Sequence, residues 1–413
     1  MAMIRGVVCA VSASLIAATS AAGQAALVRA FTGLTLIDGT DRPPVANATI
    51  VVQDGRIVRA GPASSVTVPA AAERISLAGK TVIPGLINAH GHVNNARDLL
   101  TYAAYGVTTV YSLGGEPQDV FVARELQTTP QLQRARVFVA GPVLTPNTPD
   151  EARALVDSVA RLKVDIVKIR VDDNLGTTQK MSPDAYRAVI DQAHKQRLRV
   201  ASHLFYLADA KALLAAGTDF IAHSVRDTEV DQDFLNALKA RGICYCPTLM
   251  REVSTFVYES TPEWFSDPLF LRYANQEWVK TMVEPERQQA MRNSASAQRY
   301  KVALEVASKN LKKISNAGLP IAMGTDTGPT GRFQGYFELM ELELMVKAGL
   351  TPRQALAAAT RDAARCMKLD DQLGTLEQGK WADFVVLNSD PLKSISNVRQ
   401  ISAVYIAGNL VPR

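Results

Sequence analysis

Residues 82–93 read VIPGLINAHGHV, an apolar run that ends in two histidines spaced one residue apart. The run lacks the apolar–polar alternation of a half-solvated strand, so it predicts a strand covered on both faces, as in a parallel sheet. Alternate residues of a strand point to the same side, so His90 and His92 should project together at its carboxyl end. Two imidazoles on one side are a partial metal site, although such pairs also occur by chance.

Further apolar runs of this kind follow, and segments with helical periodicity separate them. In chain order the eight runs are TVIPGLINAH, GVTTVYSLG, ARVFVAG, VDIVKIRV, RVASH, FIAHS, ICYCPTL and PIAMGTD. Helix starts are marked by Thr148-Pro149-Asp150-Glu151, a capping box with proline at the first helical position, and by Ser-Pro and Thr-Pro pairs at 182–183 and 351–352. The pattern predicts an α/β fold, a (β/α)8 TIM barrel, with a doubly wound open sheet as the alternative.

Both ends of the chain carry β-type sequence, including a two-residue Asp-Gly hairpin signal at 54–55. We predict that residues 25–80 and 372–413 form a small β-sandwich domain that flanks a barrel of residues 81–371. Residues 250–315, between the seventh and eighth runs, have a helical pattern. They are expected to be an insertion that shapes the substrate site or, equally, a peripheral helical pair.

The first 24 residues resemble a secretory signal peptide, with Arg5 before an apolar segment and small residues at 21–23. We therefore expect a periplasmic or secreted protein, with a buried N-terminal helix as the alternative. The apolar segment is too short to predict a membrane span. The net charge of +5 comes with no block of basic residues, which argues against a nucleic-acid partner.

Beyond the predicted signal peptide the cysteines are Cys244, Cys246 and Cys366. An odd count in an exported protein argues against a disulfide framework. Cys244 and Cys246 are also too close along an extended strand to cross-link easily. We expect these side chains to be small buried hydrophobic groups.

Four of the five histidines fall at the carboxyl ends of predicted strands, where the active sites of TIM barrels lie. They are His90 and His92 on the first strand, His203 on the fifth and His223 on the sixth. The remaining one, His194, lies within a helix and is expected to be a surface or helix-packing residue. Packing alone is a poor explanation for four histidines at one end of one barrel.

Asp326 ends the eighth run, which lies beside the first in a closed barrel. Its carboxylate should approach the first two histidines, where it can bind a metal and accept a proton; the alternative is a helix N-cap. Lys168 shares a strand face with Val164 and Ile166, so it should point into the barrel. A buried ammonium is costly, so Lys168 should be neutral, paired with a carboxylate, or modified; a neutral lysine can add carbon dioxide to form a carbamate.

Two arginines, Arg170 and Arg226, lie near the carboxyl ends of the fourth and sixth strands. A guanidinium there can bind a substrate carboxylate through two parallel hydrogen bonds. For Arg170 a salt bridge at the barrel rim is an equal alternative. These positions indicate a small-molecule substrate that bears a carboxylate.

Taken together, these motifs closely resemble the amidohydrolase superfamily over nearly the whole mature chain. The motifs are PGLINAHGH, VDIVKIRVDD, VASH, AHS, GTD, ELELMVKAGLTPRQALAAAT and GTLEQGKWADFVVLNSDPL. The subgroup it resembles comprises imidazolonepropionase- and prolidase-like enzymes with a carboxylated lysine on the fourth strand. One departure is Leu339, near a place where related sequences often carry histidine, which weakens any transfer of substrate preference.

The resemblance implies two zinc ions per chain, although another divalent metal is possible. His90 and His92 would hold one ion with Asp326, and His203 and His223 the other. A carbamate on Lys168, derived from carbon dioxide, would bridge them together with a hydroxide that attacks an amide carbon. Asp326 and Lys168 are thus the implied catalytic residues, with Asp326 as the proton shuttle. The expected substrate is a dipeptide or an N-acyl amino acid.

Three alternatives remain from the sequence. A one-metal, imidazolonepropionase-like cyclic-amide hydrolase shares most of the ligands. A deaminase of the same superfamily typically has a glutamate shortly after the fifth-strand histidine, whereas Leu-Phe-Tyr-Leu follows His203 here. A non-catalytic exported binding protein would tend to lose ligands, and all six are present. A homo-oligomer is possible, with the 250–315 insertion as a potential interface.

Overall fold

The structure is a computed structural model that describes residues 28–413; the predicted signal peptide lies outside the described residues. In chain order the strands are β1 (Val28–Leu36), β2 (Val45–Gln53), β3 (Arg56–Pro62), β4 (Glu73–Ser76), β5 (Thr81–Pro84), β6 (Leu86–Gly91), β7 (Val107–Ser112), β8 (Arg136–Val139), β9 (Val167–Arg170), β10 (Val200–His203), β11 (Phe220–Ala222), β12 (Cys244–Cys246), β13 (Phe384–Leu387), β14 (Ile401–Ile406) and β15 (Asn409–Leu410).

The α-helices are α1 (Asp98–Ala104), α2 (Gln118–Glu125), α3 (Pro149–Arg161), α4 (Pro183–Lys195), α5 (Leu207–Ala216), α6 (Gln232–Arg241), α7 (Leu249–Val253), α8 (Pro268–Tyr273), α9 (Gln276–Met282), α10 (Pro285–Arg292), α11 (Ala295–Asn316), α12 (Tyr336–Lys347), α13 (Pro352–Ala358) and α14 (Arg361–Met367). The predicted starts of α3, α4 and α13 are confirmed, since Thr148, Ser182 and Thr351 each accept a hydrogen bond from a first-turn N–H. Among the described helices, none combines the length and the apolar character needed to cross a membrane.

Strands from both chain ends meet in one eight-stranded sheet. Its order is β15-β14-β13-β5-β1-β2-β3, and β4 pairs with β1. The ring of Phe31 on β1 packs against Phe384 and Tyr405 from the chain's other end, with centroids 4.9 and 4.8 Å away. Burial of these rings and their aliphatic neighbours joins the two ends of the chain. The arrangement of this domain as a sandwich of two sheets stays a prediction.

The run predicted as the first barrel strand, TVIPGLINAH, is two strands. Its first half, β5, pairs with β1 and β13 in the small sheet, while its second half, β6, pairs with β7 in the barrel. Gly85 separates them, and a Cβ there would lie 2.0 Å from the Thr108 hydroxyl oxygen. An extended apolar sequence does not show which partner each half takes, so the division of this run into two strands could not be read from the sequence.

The strand–helix units have the TIM-barrel architecture. Parallel strands β6–β7–β8 and β9–β10–β11–β12 form two ladders, and a bridge between Leu144 and Ile169 connects them. The eighth predicted strand, PIAMGTD, is not a regular strand. Two isolated bridges, Ile321 with Tyr245 and, one residue after the run, Thr327 with Gly91, place it between the seventh strand and the first.

Helices α7 to α11 and short 3-10 turns occupy the segment between the seventh and eighth strands. An aromatic cluster attaches this segment to the chain that follows Asp326. The ring of Phe270 lies 4.9 Å from both Trp264 and Phe333, and 5.1 Å from Tyr336. The insertion therefore packs directly on residues that follow the eighth-strand carboxylate.

The expectation of three unpaired cysteines is wrong. Cys244 on β12 and Cys366 on α14 form a disulfide across 122 residues of sequence, and Cys246 is a buried free cysteine. The odd count leaves one thiol over and does not exclude a single bridge. The end of α14 packs against the barrel, where Arg199 donates to the carbonyl oxygens of Cys366 and Met367. Local sequence patterns do not reveal such a contact.

We predict one free thiol per denatured, unreduced chain that begins at residue 25, and three after reduction. Thiol titration and peptide mapping would measure this, with a crosslink between the peptides that hold Cys244 and Cys366. Reduction should lower the free energy of unfolding by about 2–4 kcal/mol, because it frees a long loop in the unfolded chain. Cys246→Ala, the matched control, should keep the crosslink; three thiols before reduction would contradict the assignment.

Candidate metal centre

His90 and His92 lie at the carboxyl end of β6 and approach the carboxylate of Asp326. The Oδ1 atom of Asp326 is 3.4 Å from His90 Nε2 and 2.8 Å from His92 Nε2. Nδ1 of His92 lies 3.0 Å from the Gly114 carbonyl oxygen, which can only accept, so Nδ1 donates. In a neutral ring, Nε2 then carries a lone pair that points at the Oδ1 atom of Asp326, which is also an acceptor. A cation between these two acceptors would satisfy both.

Asp326 is held by the backbone and by charge. Its φ is 58°, and its N–H donates to the His90 carbonyl oxygen over 2.6 Å. Burial alone would raise the pKa of its carboxyl group, but the charge of the Arg332 guanidinium, which donates to Oδ2, holds that pKa well below its usual value. Asp326 is therefore a carboxylate at neutral pH.

Lys168 on β9 points into the barrel, with its Nζ 3.2 Å from His90 Nε2. The side chain is buried, and burial lowers the pKa of its ammonium group to about 8. Within residues 28–413 no carboxylate oxygen lies within 4.0 Å of this nitrogen, so the alternative of an ion pair has no partner there. With this pKa, roughly a tenth of the amine is neutral at pH 7, and the neutral amine is the form that reacts with carbon dioxide.

His203 and His223 complete the cluster from β10 and the end of β11. The ring of His223 lies 4.3 Å from that of His203 and 4.4 Å from that of His90, centroid to centroid. Nδ1 of His223 is 2.8 Å from the Thr248 hydroxyl, which leaves its Nε2 for the cluster. Burial lowers the pKa of His203 to about 3 and that of His223 well below its usual value, so both rings are neutral, the form that binds metal.

The structure brings all six predicted ligand side chains to one end of the barrel. The ligand atoms of His90, His223 and Asp326 all lie within 4.8 Å of one another. Nε2 of His203 is turned to Asp172, 2.8 Å away. Imidazole nitrogens and a carboxylate suit zinc and similar divalent metals. The donor set therefore fits a metal, and the neutral rings and the ionised carboxylate are in the required protonation states.

Several residues that orient this cluster were not predicted from the sequence. Asp172 continues the face of Lys168 and Arg170 on the fourth strand, so the alternation of that strand could have found it. Burial would raise the pKa of Asp172, but its hydrogen bonds with His203 and with the N–H of Asn174 hold it below its usual value. Arg332 lies in an irregular segment, where no periodic signal exists.

A buried hydrogen-bond network ties the first strand to the eighth. Oε1 of Glu338, from α12, accepts from Asn88 over 2.5 Å, Thr325 over 2.8 Å and Thr327 over 2.7 Å. The Asn88 side chain in turn accepts from the N–H of His90 at 2.9 Å. The network positions the backbone on both sides of the His90–Asp326 contact.

The two arginines proposed for substrate binding lie in different surroundings. Arg226 is fully buried, with Nη1 donating to the carbonyls of Leu204 and Ser224, and its Nε lies 3.0 Å from Glu252. Arg170 borders a cavity of about 220 Å³. The other histidine, His194, is half-exposed and pairs with Asp219, as expected of a surface residue.

A cluster of neutral imidazoles, a lysine and a carboxylate at the carboxyl ends of TIM-barrel strands defines a metal-dependent hydrolase. Residues 81–411 match the model of the amidohydrolase family, so the chain belongs to that family. The resemblance of the sequence to the amidohydrolase superfamily is thereby confirmed.

Among curated relatives, ochratoxinase of Aspergillus niger is 27% identical over 274 residues, which cover 64% of this chain and 49% of ochratoxinase. The match therefore spans about half the length of that relative. Imidazolonepropionase of Christiangramia forsetii is 33% identical over 104 residues, 24% of this chain and 25% of that enzyme. A Bifidobacterium longum crystal structure provisionally described as a prolidase superposes with a TM-score of 0.77 at 27% identity, covering 94% of this chain and 95% of that one.

Replacing Glu338 with alanine should destabilise the fold, because Asn88, Thr325 and Thr327 would lose a shared buried acceptor. We expect a loss of about 2–4 kcal/mol in the free energy of unfolding, measured by urea titration. The exposed Glu305 on α11 is the matched control, and Glu305→Ala should change stability by less than about 0.5 kcal/mol. Equal losses of unfolding free energy in the two variants would show that the Glu338 network does not position these strands.

Proposed function

We propose that this chain is an exported, binuclear zinc-dependent amidohydrolase that cleaves the amide bond of a dipeptide or an N-acyl amino acid. The observation that carries the proposal is the convergence of four histidines, Lys168 and the ionised Asp326 at one end of the barrel. Family membership supports the reaction class, hydrolysis of a carbon–nitrogen bond. Membership of a fold family does not by itself identify a substrate.

The residues have distinct proposed roles in holding metal. His90 and His92 would hold one zinc with Asp326, and His203 and His223 the second. Lys168 lies against His90, and as a carbamate it would present two oxygens to both ions. Support comes from the buried environment of this lysine, which lowers the pKa of the amine to about 8.

Zinc, when bound, lowers the pKa of a water molecule towards neutrality and polarises the scissile carbonyl. Asp326 is ionised at neutral pH, so it can accept a proton from the attacking water and deliver it to the leaving nitrogen. Arg332 and His92 orient the carboxylate for that transfer through contacts to its two oxygens.

Two features support the proposal of export. The first 24 residues have the pattern of a signal peptide, and the described residues contain a disulfide. Disulfides persist in oxidising compartments such as the periplasm and the extracellular space.

A one-metal hydrolase of the imidazolonepropionase type is the second candidate. The observation that favours it is the compact trio of His90, His223 and Asp326, whose ligand atoms fit around a single ion. Metal stoichiometry distinguishes the two candidates, because only the binuclear enzyme needs Lys168 as a bridging ligand.

We expect about two zinc ions per chain by inductively coupled plasma mass spectrometry when the protein is produced with zinc and bicarbonate. Lys168→Ala should lose a clear part of this zinc, because the bridging group is gone. His194→Ala, which changes a histidine remote from the cluster, is the matched control and should keep the wild-type content. One ion in all three proteins would favour the one-metal candidate.

Asp326→Asn should lower kcat for the best amide substrate by roughly 100-fold or more, because it removes the proton acceptor. A panel of dipeptides and N-acetyl amino acids, assayed for released amine, would identify that substrate. Zinc content measured on the same sample separates a lost proton acceptor from a lost ligand. Wild-type kcat in a fully loaded variant would rule out the proton shuttle.

A further inference from the structure

Arg170 is a half-buried arginine whose charge has no partner among residues 28–413. It is the last residue of β9, and its backbone pairs in register with His203 on β10. Within residues 28–413 its guanidinium makes no hydrogen bond and no ion pair, and its Nε is buried from solvent. A guanidinium in such a position loses hydration without compensation, which is unfavourable unless an anion binds there.

The cavity beside Arg170 has a volume of about 220 Å³. Its walls come from the loop after β8 and the loop after β9, with Thr145, Asn147 and Lys180 among the lining residues. Asp172 also lines it and lies 2.8 Å from His203. The side chain of Asp172 therefore contacts both the cavity and a histidine of the candidate metal centre.

Other charged groups of this cavity are already neutralised or bonded. Asp172 is bonded to His203 and to the N–H of Asn174. The ammonium group of Lys180 lies 2.8 Å from the Asp209 carboxylate. Among the charged side chains that line the cavity, Arg170 is thus the one for which the described residues supply no counter-ion.

Arg226, the second arginine considered for substrate binding, differs in this respect. It is enclosed by protein, with Glu252 as its counter-ion and two backbone carbonyls as acceptors. Its guanidinium also lies 4.6 Å from the centre of the Phe205 ring. These contacts make Arg226 part of the folded core.

We propose that Arg170 binds a carboxylate of the substrate in this cavity, while Arg226 has a structural role. The assignment rests on the proposed amidohydrolase function, since it names the substrate class of the same site. Residues 168 and 170 are separated by roughly 6–7 Å along the strand, so a small substrate can reach the metal centre and the guanidinium at once. The carboxylate can belong to the amine part of the amide or to its acyl part, and a guanidinium binds either through two parallel hydrogen bonds.

The test compares substrates with and without a carboxylate in zinc-loaded full-length mature protein. N-acetyl-L-amino acids carry it on the amine side, N-succinyl amines carry it on the acyl side, and N-acetyl-L-amino acid amides lack it. Arg170→Met should lower kcat/KM for the carboxylate-bearing substrate by roughly 10- to 100-fold and leave the amide analogue within about twofold. Arg170→Lys should recover part of the loss. The substrate series in which Arg170→Met selectively loses kcat/KM shows whether the carboxylate belongs to the amine side or to the acyl side of the amide.

Lys180→Met is the matched control, because it removes a cation that lines the same cavity but already has a partner. It should change the preference for carboxylate substrates much less than Arg170→Met does. Arg226→Met should lower the melting temperature and leave the preference for a carboxylate intact. Equal effects of Arg170→Met on substrates with and without a carboxylate, or no effect on either, would overturn the assignment.

A binding measurement makes the result independent of turnover. N-acetyl-L-amino acids and their amides would be titrated against wild type and Arg170→Met, with the thermal shift as readout. A shift by the acid alone that disappears in Arg170→Met supports the subsite even if wild type hydrolyses nothing, a result that would contradict the proposed function only. Equal shifts in both proteins would reject the subsite.

Discussion

The contact between the first and eighth strands at His90 is the interaction on which the site depends. The N–H groups of Thr325 and Asp326 both donate to the His90 carbonyl oxygen, at 3.0 and 2.6 Å. This pairing holds the backbones of His90 and Asp326, one candidate ligand from each strand, in direct contact. The eighth strand is irregular here, and the left-handed backbone of Asp326 aims its carboxylate back at the two histidines. Without that pairing, these backbone bonds would no longer hold the Asp326 carboxylate beside the imidazole rings of His90 and His92.

Burial then determines the protonation states of these groups. Removing water disfavours charge on His203 and His223, and the same effect lowers the pKa of Lys168. Asp326 stays ionised because the charge of Arg332 compensates for its burial. One cluster therefore holds neutral nitrogen donors beside a carboxylate at neutral pH. That combination suits a divalent cation, and the supporting hydrogen bonds come from residues outside the ligand set.

Most of the fold was predictable because strong periodic signals carry it. Apolar runs without alternation indicated the parallel strands, and Pro at the first helical position marked α3, α4 and α13. The division of the first predicted strand at Gly85 was not predictable, since pairing partners decide it. The disulfide was missed for the same reason. Its cysteines are brought together by packing, and counting cysteines reveals no spatial neighbours.

By itself, the sequence determined the residue types of the site and the barrel end at which they lie. Strand alternation aims His90, His92 and Lys168, and this depends only on backbone geometry. The tertiary structure decided which charges are already paired. The sequence treated Arg170 and Arg226 alike, but Glu252 neutralises one and none of the described residues neutralises the other. Electrostatic pairing depends on distances between segments far apart in the chain, so only the folded structure distinguishes a structural arginine from one left for a ligand.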